Sequence, residues 1–130
     1  MVRNARIAYL LVAWVLVIAI VVQFVLGGQA VFQDAGRSAA HVALGYGIGV
    51  LTVFLAILAW AGQMPRFLRG SEVLIVLFVI EFALVAVRSS LPVAEDLHPL
   101  TGALILVLAT YLAWRSRSMA PPPLGTCTDV

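Results

Sequence analysis

Four long runs of apolar residues, separated by short polar segments, dominate the pattern of this chain. Each run is close to the ~20 residues with which a helix crosses the hydrocarbon core of a bilayer. None of the runs alternates apolar and polar residues with the period of two that indicates a half-buried β-strand. The pattern therefore predicts four transmembrane helices, over residues 7–26, 40–61, 71–88 and 98–114.

The segments between the runs carry residues that are typical of turns and membrane edges. Residues 27–39 and 62–70 contain glycine and arginine, and residues 89–97 contain proline and two acids. Short connections join helices that are antiparallel neighbours. The sequence thus predicts an all-α membrane protein, an up-down four-helix bundle. Residues 1–117 would form its single domain, and residues 118–130 a disordered tail.

Composition supports lipid as the solvent of this chain. Of its 130 residues, 63% are hydrophobic and 11% are charged, and the mean hydropathy is +1.09. Soluble domains hold about 25% charged residues. The single cysteine, Cys127, excludes an intrachain disulfide and a CxxC redox pair. The net charge of +2 forms no basic stripe, so nucleic acid is not an expected partner.

The arginines predict the orientation of the chain in the membrane. All eight basic residues are arginine, and six of them fall on the side that holds both termini: Arg3, Arg6, Arg66, Arg69, Arg115 and Arg117. Arg37 and Arg88 fall on the other side. The positive-inside rule then places the N and C termini in the cytoplasm. Trp60 and Trp114 end the second and fourth helices on the same side, as interfacial anchors do.

The two halves of the chain resemble each other. In the first half, Gln23 lies in one helix and His41 opens the next. In the second half, Glu81 and His98 hold the corresponding positions. Each histidine is followed four residues later by a glycine. The repeat predicts two tandem helical hairpins in the same orientation, a common construction among membrane proteins.

The repeat also predicts a cofactor site. His41 and His98 open helices that run in the same direction, so their imidazoles are expected at one depth. These two helices are diagonal neighbours, and the gap of roughly 11–14 Å across a bundle suits two imidazoles that share one metal. Gly45 and Gly102 lie on the same helix faces and leave room for a flat macrocycle. The sequence therefore predicts haem b with two axial histidines.

Several of these residues have other interpretations. Arg37 and Arg88 are candidate partners of the haem propionates, and both also fit the role of interface anchors. Either histidine alone is also explained as an interfacial residue or a cap. Gly45 also begins a small-xxx-small packing motif with Gly49. A mononuclear zinc or copper site is disfavoured, because no third or fourth His or Cys lies nearby to complete it.

Glu81 is the one carboxylate expected near the middle of a predicted span. A charge at that depth is costly and marks a functional site by default. Three roles remain open: a hydrogen bond to Gln23, its counterpart in the repeat; pairing with Arg88; and a polar relay for protons.

The hairpin repeat with histidines on helices two and four resembles one half of haem A synthase, and also the four-helix bundles of b-type cytochromes. This resemblance implies haem bound by His41 and His98. Residues 96–102 and 113–115 are similar to an uncharacterised family of small four-helix bacterial membrane proteins, which implies a bacterial plasma membrane. The chain has one bundle where haem A synthase has two, and it lacks an acid beside the histidine positions on helix one.

The leading hypothesis is therefore electron transfer near the outer face by a b-type haem protein, and not an enzymatic reaction. A single haem near one face does not span the bilayer, so a larger membrane redox complex or a quinone is the expected partner. A homo-oligomer is compatible with the sequence. The alternatives are a haem-free accessory or assembly subunit of a larger complex, and a small transporter that uses Glu81.

Overall fold

The computed structural model describes residues 1–32 and 38–119. Four long helices account for nearly all of them: α1 (Val2–Phe32), α2 (Ser38–Ala61), α3 (Pro65–Val87) and α4 (Val93–Ser116). A 3₁₀ turn over Arg117–Met119 follows α4, and the described residues contain no strand. All four helices are long and apolar enough to cross a membrane. The all-α, four-helix prediction is confirmed.

The helices form an up-down bundle in which each one packs against two neighbours. α1 and α3 each lie against both α2 and α4, so α1/α3 and α2/α4 are the diagonal pairs. We call the end where α1 begins and α4 ends the terminal end. The opposite end, where α2 and α4 begin, is the histidine end. The prediction that the second and fourth helices are diagonal neighbours is thus confirmed.

A narrow column of side chains fills the interior of the bundle. Tyr9, Leu16 and Leu55 are fully buried, whereas Val50 and Val107 on the outer faces are 70% and 68% exposed. A helix that is apolar on all sides suits lipid, which solvates its outer face. Because lipid tails are as apolar as leucine, the helices associate through close packing and hydrogen bonds.

One such hydrogen bond crosses the interior near the terminal end. The Ser71 hydroxyl donates to the Phe67 carbonyl at 2.9 Å, and the Tyr9 hydroxyl lies 3.3 Å from Ser71 Oγ. Because the serine proton is already used, the tyrosine is the donor. This contact joins α1 to α3 across the diagonal of the bundle.

Two helices begin earlier than the sequence predicts. α3 begins at Pro65 rather than at residue 71, because proline at the first position loses no hydrogen bond there. α4 begins at Val93 rather than at residue 98. Glu95 and Asp96, which looked like turn residues, lie in its first turn and complement the positive end of the helix.

The first helix extends past both of its predicted ends. It runs to Phe32, through Gly27 and Gly28, where the sequence predicts a loop. Glycine is tolerated inside membrane helices, because lipid offers the backbone no alternative hydrogen-bond partner. Arg37 and residues 120–130, which include most of the predicted tail, lie outside the described residues.

Candidate functional site

The two histidines approach each other directly at the histidine end. Their ring centroids are 6.2 Å apart, and the ring planes make an angle of 69°. His41 lies in the first turn of α2, and His98 lies in the second turn of α4. Both side chains are partly buried. Two imidazoles from diagonal helices thus lie in edge-to-face contact inside the bundle.

α1 holds the His41 ring in place. Nδ1 lies 3.1 Å from the backbone oxygen of Gln23, and a carbonyl only accepts, so Nδ1 is the donor. The Gln23 amide donates in return to the His41 carbonyl at 2.8 Å. A Cβ at Gly27 would lie 3.1 Å from His41 Cε1, so an alanine there would make the ring shift by a few tenths of an ångström. In the neutral ring, Nε2 keeps its lone pair for a ligand.

Glu81 makes the corresponding contact in the second hairpin. Its Oε1 lies 3.0 Å from His98 Nδ1, and the side chains are 15% and 33% exposed respectively. The two atoms are as close as an ion pair requires. The His98 ring is not oriented to donate a hydrogen bond from Nδ1 to the carboxylate. Within the described residues, no hydrogen bond or ion pair joins Glu81 to Gln23 or Arg88.

The two contacts are related by the internal repeat. Gln23 precedes its histidine by 18 residues, and Glu81 precedes His98 by about the same number. Each hairpin brings a polar residue of its first helix level with the histidine of its second. Histidines that bind metals usually have such a partner at their other ring nitrogen, and the partner orients the ring.

The two glycines that follow the histidines accept protein side chains. A Cβ at Gly45 would lie 3.1 Å from Gln23 Nε2. A Cβ at Gly102 would lie 3.3 Å from Phe24 Cζ and 3.5 Å from Glu81 Oε1. The sequence pattern predicts a macrocycle in this space. In the structure, the missing side chains let α1 and α3 bring their polar groups to the histidines.

Aromatic rings and one arginine surround the site. Tyr46 stacks on Phe82 at 5.4 Å between centroids, which joins α2 to α3. Arg88 ends α3, is exposed, and lies within electrostatic range of His98. Arg37 lies outside the described residues. Phe24, whose Cζ would lie 3.3 Å from a Cβ at Gly102, was not predicted, because nothing in an apolar run distinguishes the ring that reaches a neighbouring helix.

Two buried acceptors remain without a partner. Gln23 Oε1 and Glu81 Oε2 are buried, and neither has a hydrogen-bond partner among the described residues. Each such atom costs about 1–3 kcal/mol, which favours a bound donor. The described residues contain no cluster of three or more His, Cys, Asp or Glu that is placed to hold a metal ion. Within the described residues, the paired imidazoles of His41 and His98 are the candidate ligands at this end of the bundle.

Comparison with known proteins identifies a family. A model of DUF6220, a family of unknown function, matches residues 23–87, half of the chain. The chain belongs to the DUF6220 family. The matched region includes Gln23, His41 and Glu81, and it ends before His98. No curated protein and no solved structure matches the chain, so the resemblance to haem A synthase and b-type cytochromes gains no support from this comparison.

Proposed function

We propose that this DUF6220 chain is a b-type haem protein that transfers electrons in a bacterial plasma membrane. His41 and His98 would be the axial ligands, and the distance between their rings carries the proposal. A metal–imidazole bond of about 2.0–2.1 Å, with roughly 1.1 Å from nitrogen to ring centre, puts two imidazoles across one metal roughly 6.2–6.4 Å apart. The observed centroid separation is 6.2 Å.

The surroundings of the two rings support the same proposal. His41 is held through Nδ1 by the Gln23 carbonyl, and Glu81 faces the same atom of His98. Such partners orient the ring so that Nε2 is presented to the metal. Haem b supplies a one-electron couple when it is bound. With two protein ligands on the metal, no position is left for a substrate, so an electron carrier is favoured over an enzyme.

The charged residues at the two ends support the remaining parts of the proposal. Arg88 lies near His98 and is a candidate partner for a propionate. Arginines concentrate at the terminal end, so the N and C termini would lie in the cytoplasm and the histidine site near the outer face. A larger membrane redox complex or a quinone would exchange electrons with this site.

The absorption spectrum of protein purified from haem-replete cells tests the proposal. We expect a Soret band, with split visible bands on reduction, and its loss in both His41→Ala and His98→Ala. Thr110→Ala is a control on α4, because its hydroxyl bonds only within its own helix. Free imidazole should restore the spectrum of His98→Gly, which separates loss of a ligand from loss of the fold.

A colourless protein overturns the haem proposal and lets the alternatives be tested. Stoichiometric copurification with a large complex would favour an accessory subunit. Proton flux that Glu81→Gln abolishes would favour a transporter, for which the Glu81–His98 contact is the relevant observation. Metal analysis of the colourless protein would detect an ion bound without a macrocycle.

A further inference from the structure

An open cavity of about 120 Å³ lies at the terminal end, opposite the histidines. It is formed where α3 begins and α4 ends. Residues from both helices and from the 3₁₀ turn line it: Arg66, Phe67, Tyr111, Leu112, Arg115 and Ser118. The lining thus combines two guanidinium groups with aromatic and aliphatic side chains, and none of the described residues contributes a carboxylate to it.

The arginines of the terminal end differ from one another in what they contact. Arg6 Nε donates to the Gly62 carbonyl at 3.1 Å, and the Arg117 guanidinium lies over two tryptophan rings. Arg66 and Arg115 are exposed, and their guanidinium groups make no hydrogen bond or ion pair with the described residues. Both guanidinium groups are therefore available to an anionic ligand.

Phe67, Tyr111 and Leu112 give the cavity aromatic and aliphatic walls. Leu112 is 3% exposed and packs against Gly70, where a Cβ would lie 2.6 Å from Leu112 Cδ2. This close approach of α3 and α4 makes the floor. Tyr111, one turn before Arg115, is 58% exposed on the outer face of α4. A charged opening above an apolar wall matches the charged headgroup and the apolar acyl chains of a lipid molecule.

The level of the cavity also matches a lipid headgroup. Trp60 and Trp114 lie at the same end and are 72% and 62% exposed, and such tryptophans mark the membrane–water interface. α3 begins here without a side-chain cap, so the positive end of this helix adds to the arginines. Arg115, in the last turn of α4, offsets the negative end of that helix.

We propose that this cavity binds the phosphate of an anionic phospholipid between Arg66 and Arg115, with an acyl chain along Tyr111. The guanidinium fork matches phosphate oxygens in pairs, which a surface of scattered charges does not achieve. This site is independent of the haem proposal.

Native mass spectrometry of the full chain in a neutral detergent tests the lipid site. The protein is titrated with phosphatidylglycerol and with phosphatidylcholine of the same acyl chains. We expect the anionic lipid to bind about tenfold more tightly, and Arg66→Gln/Arg115→Gln to lose that preference. The control is Arg3→Gln/Arg69→Gln, which removes two exposed arginines of the same end that do not line the cavity.

Three results would overturn the proposal. If Arg3→Gln/Arg69→Gln loses the preference for the anionic lipid to the same extent, diffuse surface charge binds the lipid. Equal binding of the two lipids would mean that the cavity does not select an anionic headgroup. Inorganic phosphate that binds as tightly as phosphatidylglycerol and displaces it would make free phosphate the ligand. If the double variant does not fold, Arg66→Gln and Arg115→Gln are measured singly, and each should weaken binding about threefold or more.

Discussion

His41 and His98 occupy equivalent positions in the repeat, yet different groups face their Nδ1 atoms. A neutral backbone carbonyl accepts from His41, whereas a carboxylate side chain lies beside His98. A carboxylate behind an imidazole makes it a more basic ligand than a carbonyl does. The two rings are therefore expected to be unequal as ligands, although the sequence makes them look alike.

Glu81→Gln tests this difference at a single residue. The variant should still bind haem, but its midpoint potential should rise, because a neutral amide makes His98 a weaker electron donor. Haem affinity should fall by about 10–100-fold. A redox titration followed at the visible bands measures the potential. Glu72→Gln, an exposed acid on the same helix, is the control. An unchanged potential in Glu81→Gln would show that the carboxylate does not act on His98.

Sequence reasoning found both polar residues of this site but not their partners. Gln23 and Glu81 were singled out because each interrupts an apolar run. The sequence leaves open a hydrogen bond between them and a pairing of Glu81 with Arg88, and neither is present among the described residues. The repeat contained the missing signal, because residues about equally far from a short connection become level in an antiparallel hairpin.

At the scale of the helices, glycines set how closely the elements approach. Gly70 of α3 meets Leu112 of α4 with no space for a methyl group, whereas nothing lies within 4 Å of a Cβ at Gly47. Helix association in lipid depends on such small residues, because no hydrophobic driving force acts between the helices.

Gly70→Ala should therefore destabilise the bundle by about 1–3 kcal/mol, because the added methyl displaces a buried leucine. Gly47→Ala is the matched control and should be neutral or slightly stabilising, since alanine favours a helix. Unfolding in mixed detergent micelles, followed by circular dichroism, measures both. Leu112→Ala should cost less in the Gly70→Ala background than in the native chain. Equal stability of the two glycine variants would contradict the packing described for α3 and α4.

At the scale of the whole molecule, charge distinguishes the two ends of the bundle. Six of the eight arginines lie at the terminal end or in its connections. The histidine site lies at the other end, so its side of the membrane depends on the topology of the chain.

Labelling of the single cysteine tests that topology. Cys127 should resist a membrane-impermeant maleimide in intact cells and react after permeabilisation, because positive-inside places the C terminus in the cytoplasm. Ser90→Cys in a Cys127→Ser background is the control, since Ser90 is exposed in the connection between α3 and α4. It should react in intact cells. The reverse pattern would place the histidine site on the cytoplasmic side.

The sequence by itself determined that this chain forms four apolar helices suited to a membrane. Lipid offers no hydrogen-bond partner for backbone groups, so a long apolar run in a membrane satisfies them within itself by forming a helix. The sequence also determined that one polar residue and one histidine recur in each hairpin.

Only the tertiary structure decided which atoms meet. Helices that are apolar on every side carry little amphipathic pattern, so their sequence does not say which face turns inward. The rotation of each helix about its axis sets the 6.2 Å between the imidazole centroids and the partners of their Nδ1 atoms. This rotation also sets which side chains pack against Gly45 and Gly102. It is settled by close packing between helices, which a linear pattern does not record.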